Sequence, residues 1–225
     1  TRFDCDGFFF DIVHATPCAC RHCVEGMLEE GLDPASEEDR RRFAVDSLLR
    51  FQERMSGLVR EHQPDAWVFY NAGHIGPMHR RMTDYYSHFE LESLPGGAWG
   101  YAHFPPTQRY ARTLGLPTIS HTGKFHTTWG DFHSYRNPVA LEYECMRMLA
   151  LNCRCEIGDQ LPPDGKLDEP TYDLIGGVYR KVEAAEPWCH GAEPVVDIGV
   201  MTPEEFVGDA THRAIPKSLF GANKM

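Results

Sequence analysis

Asp6-Gly7-Phe8-Phe9-Phe10-Asp11 is the stretch on which the reading of this chain turns. An Asp-Gly turn pair opens it, three aromatics follow, and a lone carboxylate closes it. Phenylalanine favours strands, so the run predicts a short buried strand. Successive side chains alternate on a strand, which puts Gly7, Phe9 and Asp11 on one side and Phe8 and Phe10 on the other. A carboxylate ending an apolar strand is costly unless it stands at a mouth. In a barrel of parallel strands, the C-terminal strand ends are where the chemistry is placed. The plainer alternative is that Asp11 caps a loop or a helix start.

Working outward, helix-like and strand-like segments alternate. Residues 20–61 read as helix, broken near Gly31-Leu32-Asp33-Pro34, with Ser36 and Asp39 able to start the second part. Strands are expected at 66–70, ending in Asn71, and at 88–92, 117–122 and 153–157. Helices are expected at 78–85, 107–114, 139–151 behind Pro138, and 169–185. The alternation implies parallel βα units. Five such units do not close an eight-stranded barrel. The expected fold class is therefore α/β: residues 1–190 as the C-terminal part, about strands 4–8, of a (β/α)8 TIM barrel. Residues 191–225 read as the start of a second α/β domain, with a fresh strand at 194–201 and a capped helix start at Thr202-Pro203. A complete doubly wound domain is the rival, but no glycine-rich phosphate fingerprint follows the first strand.

A formal charge of −11 argues against a nucleic-acid partner, since phosphate binding wants a basic face. No run approaches the roughly 18 apolar residues of a membrane span. The eight cysteines are unevenly placed, with Cys18, Cys20 and Cys23 clustered, which suggests metal ligands and buried thiols in a reducing cytoplasm rather than a disulfide framework. The Cys-x-Cys-x-x-Cys spacing suits a structural zinc, which needs four ligands. The fourth could be His22, a distant cysteine or a residue elsewhere, and a thiol-rich helix start without metal is the alternative. No cofactor is expected for catalysis.

The third expected strand matters as much as the first. Alternation puts His88, Glu90 and Glu92 on one face, with Glu92 nearest the C-terminal rim. Two carboxylates across a barrel mouth are what glycoside hydrolysis requires: one protonates the leaving oxygen, and the other attacks the anomeric carbon or activates water. Asn71 and His74, His121, Lys124 and His126, and Asp159 with Gln160 fall at other expected mouths, with Trp99 and Trp129 in the adjoining loops as flat platforms for a sugar. Singly, each residue is as easily read as structural. Twelve histidines raise a metal-dependent hydrolase, yet no His-x-His or His-Glu-x-x-His signal is present. A non-catalytic carbohydrate-binding barrel would use the same aromatics and amides without needing the carboxylates.

Phe8-Phe9-Phe10-Asp11-Ile12 followed by the cysteine cluster, Phe69-Tyr70-Asn71-Ala72-Gly73-His74-Ile75-Gly76, Glu90-Leu91-Glu92-Ser93-Leu94-Pro95, Gly123-Lys124-Phe125-His126 with Trp129-Gly130-Asp131, and Ile157-Gly158-Asp159-Gln160 resemble a bacterial group of hypothetical glycosyl hydrolases of the α-L-fucosidase type. In that group a (β/α)8 barrel is followed by a β-galactosidase-type trimerisation domain. The resemblance implies a two-carboxylate, retaining glycosidase of α-L-fucosidase or β-galactosidase type, acting on a carbohydrate and assembling as a homo-oligomer, a trimer, through the domain begun near Val195. It implies Asp11 as nucleophile. The strand alternation and strand-end positions then make Glu92 the general acid/base, with Glu90 and His88 supporting it and Asn71, His74, Lys124, His126, Trp129 and Asp159 holding the sugar. The cysteine cluster resembles the zinc-bearing loop of trimeric β-galactosidases, whose Asn-Glu pair is replaced here by Asp11-Ile12.

Overall fold

The computed structural model describes residues 4–96 and 99–201. The expected α/β alternation is present. Strand β1 (Gly7–Phe10) leads to helices α1 (Arg21–Glu29) and α2 (Glu37–His62), and strand β2 (Trp67–Tyr70) follows. Two short 3₁₀ turns at Pro77–Arg81 and Thr83–Tyr85 occupy the place where one helix was expected. Then come β3 (Phe89–Leu91), α3 (Phe104–Ala111), β4 (Thr118–Gly123), α4 (Pro138–Ala150), β5 (Arg154–Gly158) and α5 (Glu169–Cys189).

All strand pairs are parallel, in two sheets ordered β1-β2 and β3-β4-β5, neither of them closed. The described chain is thus an α/β fold of parallel βα units without a completed barrel. It divides into two compact units, one holding β1, α1, α2 and β2, the other holding β3 to α5 together with Gly73–Ile75.

In the first unit, helix α2 starts where Ser36 accepts a hydrogen bond from the Asp39 amide at 3.2 Å. Its buried face covers β2: Ser56 Oγ meets the Tyr70 hydroxyl at 2.7 Å, and Gln52 Nε2 donates to the Tyr86 hydroxyl at 3.0 Å. Phe10 stacks on Tyr70 with centroids 4.8 Å apart and meets Phe51 of α2 edge-on. Phe8 and Phe10 are half-buried, whereas Phe9 is 51% exposed, so β1 is not the buried strand expected. Among the described residues β1 pairs with β2 alone, and Phe9, tilted against Phe69 at 5.4 Å between centroids, keeps half of its surface exposed.

The second unit is built from α4 and α5 against its sheet, with Leu141, Cys145 and Val178 buried together and Ile157 and Leu174 against them. Asn137 caps α4 through its bond from the Val139 amide at 2.9 Å, with Pro138 in the first turn, and Asp168 caps α5. Gly115, at φ 84°, ends the turn after α3 in the left-handed conformation that glycine tolerates best. The strand expected at 194–201 does not form: the segment pairs with no strand among the described residues, and Val195, Val196, Ile198 and Val200 are exposed. Alternating apolar residues make a strand only when a ladder partner takes up their backbone groups. The helix start at Thr202-Pro203 lies outside the described residues.

Candidate functional site

Asp11 stands immediately past β1, as alternation requires. Its Oδ1 accepts from the Asn71 side-chain amide at 2.9 Å and from the Ile12 amide at 2.9 Å. Two backbone bonds, Asn71 N to Phe10 O at 2.7 Å and Val13 N to Asn71 O at 2.8 Å, hold the two strand ends together around it. The chain then turns sharply, and Ile12 adopts φ 54°. A β-branched residue in the left-handed region is strained by roughly 1–2 kcal/mol. Strain of this kind persists where surrounding bonds over-determine it, and it concentrates at functional sites. Asp11 itself is exposed, so the carboxylate is held and presented rather than buried.

Farther along the same unit, the Cys18, Cys20 and Cys23 sulfurs all lie within 4.8 Å of one another, at the start of α1. Cys20 and Cys23 sulfurs are 3.6 Å apart. Zinc–sulfur bonds of about 2.3 Å in a tetrahedron place sulfurs about 3.8 Å apart, so the cluster fits the metal. His22 is not in the group, and no fourth ligand joins it among the described residues. The backbone bond at Cys23 lowers the Cys20 thiol pKa, while burial and the neighbouring sulfurs push Cys23 up to about 12. Cys18 and Cys23 also line a cleft of about 350 Å³ with Ile12, Phe43, Leu48 and Phe51.

The second unit carries a separate polar constellation across three adjacent strands. Glu90 of β3 is buried, and its Oε2 lies 2.6 Å from Nε2 of the buried His121 on β4. Glu156 of β5, opposite His121 in the ladder, brings a half-exposed carboxylate to 3.5 Å from the same nitrogen. Burial pulls the His121 pKa down, but the bond to Glu90 and the fields of Glu156, Glu90 and Glu92 outweigh it and leave it above the ordinary histidine value. These three side chains could hold a divalent cation, or as they stand share a proton between one imidazole and two carboxylates.

Glu92 lies one residue beyond β3 and accepts from the Trp129 indole N–H at 3.1 Å. Trp129 is 40% exposed and packs at 4.7 Å between centroids on Phe125. Both rings lie over bare backbone: Gly123 and Gly158 face each other across β4 and β5, and a Cβ on either would enter the ring of Phe125 or Trp129 respectively.

The remaining expected residues divide. Asn71 joins Asp11. His74 Nδ1 lies 2.9 Å from His103 Nε2. His126 is exposed, with its amide donating to Ser134 Oγ at 2.8 Å. Lys124 is buried, donating to Phe132 O at 2.8 Å and standing 3.9 Å from Asp159 Oδ1. His88 is buried with its ring against Trp67 and Phe69, its Nδ1 2.8 Å from Ser87 Oγ. His103, Ser93 and Glu156 were not singled out from sequence, nor was the ion pair of Arg136 and Glu144. Glu156 meets His121 only through strand register, while His103, at the start of α3, reaches Ser93 and His74 in the loops after β3 and β2, and Arg136 folds back onto Glu144 of α4.

No family model matches the chain, and no curated protein does. A solved structure does: α-L-fucosidase isoenzyme 2 from Paenibacillus thiaminolyticus, 44% identical, with a TM-score of 0.87 over 90% of this chain. The chain is homologous to part of that fucosidase. It spans 31% of the length of the fucosidase chain, about one third. At 44% identity the match extends to sequence as well as fold, and the homologous region is a portion of a glycoside hydrolase. No helix among the described residues is long and apolar enough to cross a membrane.

Proposed function

We propose that this chain is the part of a retaining glycoside hydrolase, specific for α-L-fucosides, that carries catalytic carboxylates on parallel strand ends of a (β/α)8 barrel. The observation that carries this reading is the 44% identity over nine-tenths of the chain to an α-L-fucosidase. Asp11 is the nucleophile. Its carboxylate attacks the anomeric carbon as the glycosidic C–O bond breaks, and Glu92 gives its proton to the departing oxygen. Glu92 then takes a proton from water, which attacks the same carbon and releases Asp11. The bonds from Asn71 and Ile12 aim the Asp11 carboxylate and leave its second oxygen for the sugar. Trp129, bonded to Glu92 through its indole N–H, offers its face to the sugar's C–H surface. Asn71, His74, Lys124, His126 and Asp159 hold hydroxyls, and Glu90 with His88 supports Glu92.

Zinc at Cys18, Cys20 and Cys23 supplies a structural clamp on the loop after β1, with no step of the reaction passing through it. A trimer formed through the domain that begins after residue 190 completes the proposal. Turnover of 4-nitrophenyl α-L-fucopyranoside, compared with the β-galactopyranoside, tests the substrate. Asp11→Asn is expected to lower kcat roughly 10⁴-fold, and Glu92→Gln roughly 10²–10⁴-fold. Intact turnover in both variants would sink the assignment, and fucose binding without turnover in the unaltered protein would make it a binding barrel.

A further inference from the structure

Gln160 stands two residues past the end of β5 and takes part in no step proposed above. Its backbone amide donates to Asp159 Oδ1 at 2.8 Å, and its side chain is buried. From there Nε2 donates to two carbonyl oxygens of the loop after β4, Trp129 O at 3.1 Å and Asp131 O at 3.2 Å. That loop is closed at its base, where Lys124 N donates to Gly158 O at 2.9 Å and Arg136 N donates to Lys124 O.

A primary amide carries two protons, and here each has its own carbonyl. Turning the amide over would set its oxygen against two acceptors with no proton between them, so its orientation is fixed by chemistry. Both donors are thus engaged inside the protein, and Oε1 is enclosed by it. Gln160 sits at a strand end, where the sequence suggests sugar ligands, yet its amide protons face the chain itself. What it grips is the backbone of Trp129.

Trp129 is held at both ends. Its indole N–H donates to Glu92 Oε1 at 3.1 Å, its ring lies directly over Gly158, and its carbonyl accepts from Gln160. Two contacts on the ring define an axis about which the loop can still pivot, and a contact on the backbone ends that pivot. We propose that Gln160 is a positioning residue that locks the Trp129 backbone and so keeps the indole N–H on Glu92. The catalytic meaning of the lock rests on the role of Glu92 in the function proposed above; the lock itself does not.

A 1H–15N correlation on the full chain labelled with 15N-tryptophan reads the lock without any turnover. Trp67, Trp99, Trp129 and Trp188 give indole signals, and Trp129→Phe identifies the one that matters. Glu92→Ala is expected to move that signal upfield, because the indole loses its carboxylate acceptor. Gln160→Met keeps the side chain's length and removes both donors, so it is expected to move the signal the same way. Glu92→Ala added to Gln160→Met is then expected to move it little further. A merely structural glutamine would lower the unfolding midpoint and leave the response to Glu92→Ala intact, and that result overturns the proposal. So does a Trp129 signal indifferent to Glu92→Ala in the otherwise unaltered protein. If the methionine variant does not fold, Gln160→Glu, which sets acceptors against the two carbonyls, serves in its place. On 4-nitrophenyl α-L-fucopyranoside, Gln160→Met is expected to lower kcat roughly 10–10²-fold, and an unchanged kcat with the signal displaced overturns the link to catalysis. An unaltered protein without turnover counts against the function proposed above and leaves the spectra standing, so the two fail separately.

Discussion

Glu144→Gln should cost the chain far more stability than any surface change. The Glu144 carboxylate is 3% exposed and serves four donors. Oε1 takes Arg136 Nε at 3.0 Å, Arg136 Nη2, and the Tyr101 hydroxyl at 2.7 Å, while Oε2 takes the Thr122 hydroxyl at 2.5 Å. Burial works against the Arg136 charge, and the Glu144 carboxylate more than restores it, holding its pKa above the usual arginine value. Glutamine keeps the shape and one acceptor oxygen, and Thr122 can turn its hydroxyl to accept from the new amide. What is lost is the charge opposite Arg136, which cannot discharge itself. Leaving one partner of a buried pair uncompensated costs about 3–5 kcal/mol. Against a total of roughly 5–15 kcal/mol that is a large share. At about 2–4 °C per kcal/mol for a domain of this size, the midpoint should fall by roughly 6–20 °C. Urea and thermal unfolding followed by circular dichroism give both values. Arg136→Met with Glu144→Leu should recover most of the loss, because it removes the stranded charge along with its partner. A single variant within about 1 kcal/mol of the unaltered protein would refute the reasoning. So would a double variant no better than the single one.

His121 supplies a pH dependence. Its folded value lies above the ordinary 6.5, so its contribution is fully present below 6.5 and is lost as pH rises through the folded value. Glu90→Gln should lower that value and flatten the fall in stability on the alkaline side, as read by imidazole NMR titration and urea unfolding at several pH values. An unchanged His121 titration would show that Glu90 does not hold the proton there. Cobalt(II), as a spectroscopic stand-in for zinc, should give thiolate charge-transfer absorption that disappears in Cys20→Ser and strengthens with pH, since the raised Cys23 thiol must lose its proton to bind. No such absorption in the unaltered chain would remove the metal from the cysteine cluster.

Local chemistry was legible wherever one residue acts on its own neighbours. Ser36, Pro138 behind Asn137, and Gly115 mark helix boundaries through bonds or backbone freedom within a few residues. The alternation in Phe8–Asp11 placed the carboxylate at the strand end for the same reason. What depends on register was not legible. Glu90 was recognised as a strand carboxylate, but its bond to His121 exists because β3 lies beside β4, and Glu156 enters through the next ladder. His88 shares β3's alternation with Glu90, yet its ring packs on Trp67 and Phe69 just before the strand begins. Residues 194–201 show the same limit in reverse, since their apolar alternation matches a strand whose partner is not among the described residues.

Gly123 and Gly158 make the height of an aromatic surface depend on two missing methyl groups. The indole of Trp129 reaches Glu92 because nothing rises from the strand beneath it. Gly158→Ala would alter no charge, remove no polar atom and touch neither carboxylate. It would nevertheless lift the ring, stretch its bond to Glu92 and narrow the space above. Under the function proposed above, selectivity at this edge would be adjustable from underneath, at a position the sugar itself need not touch.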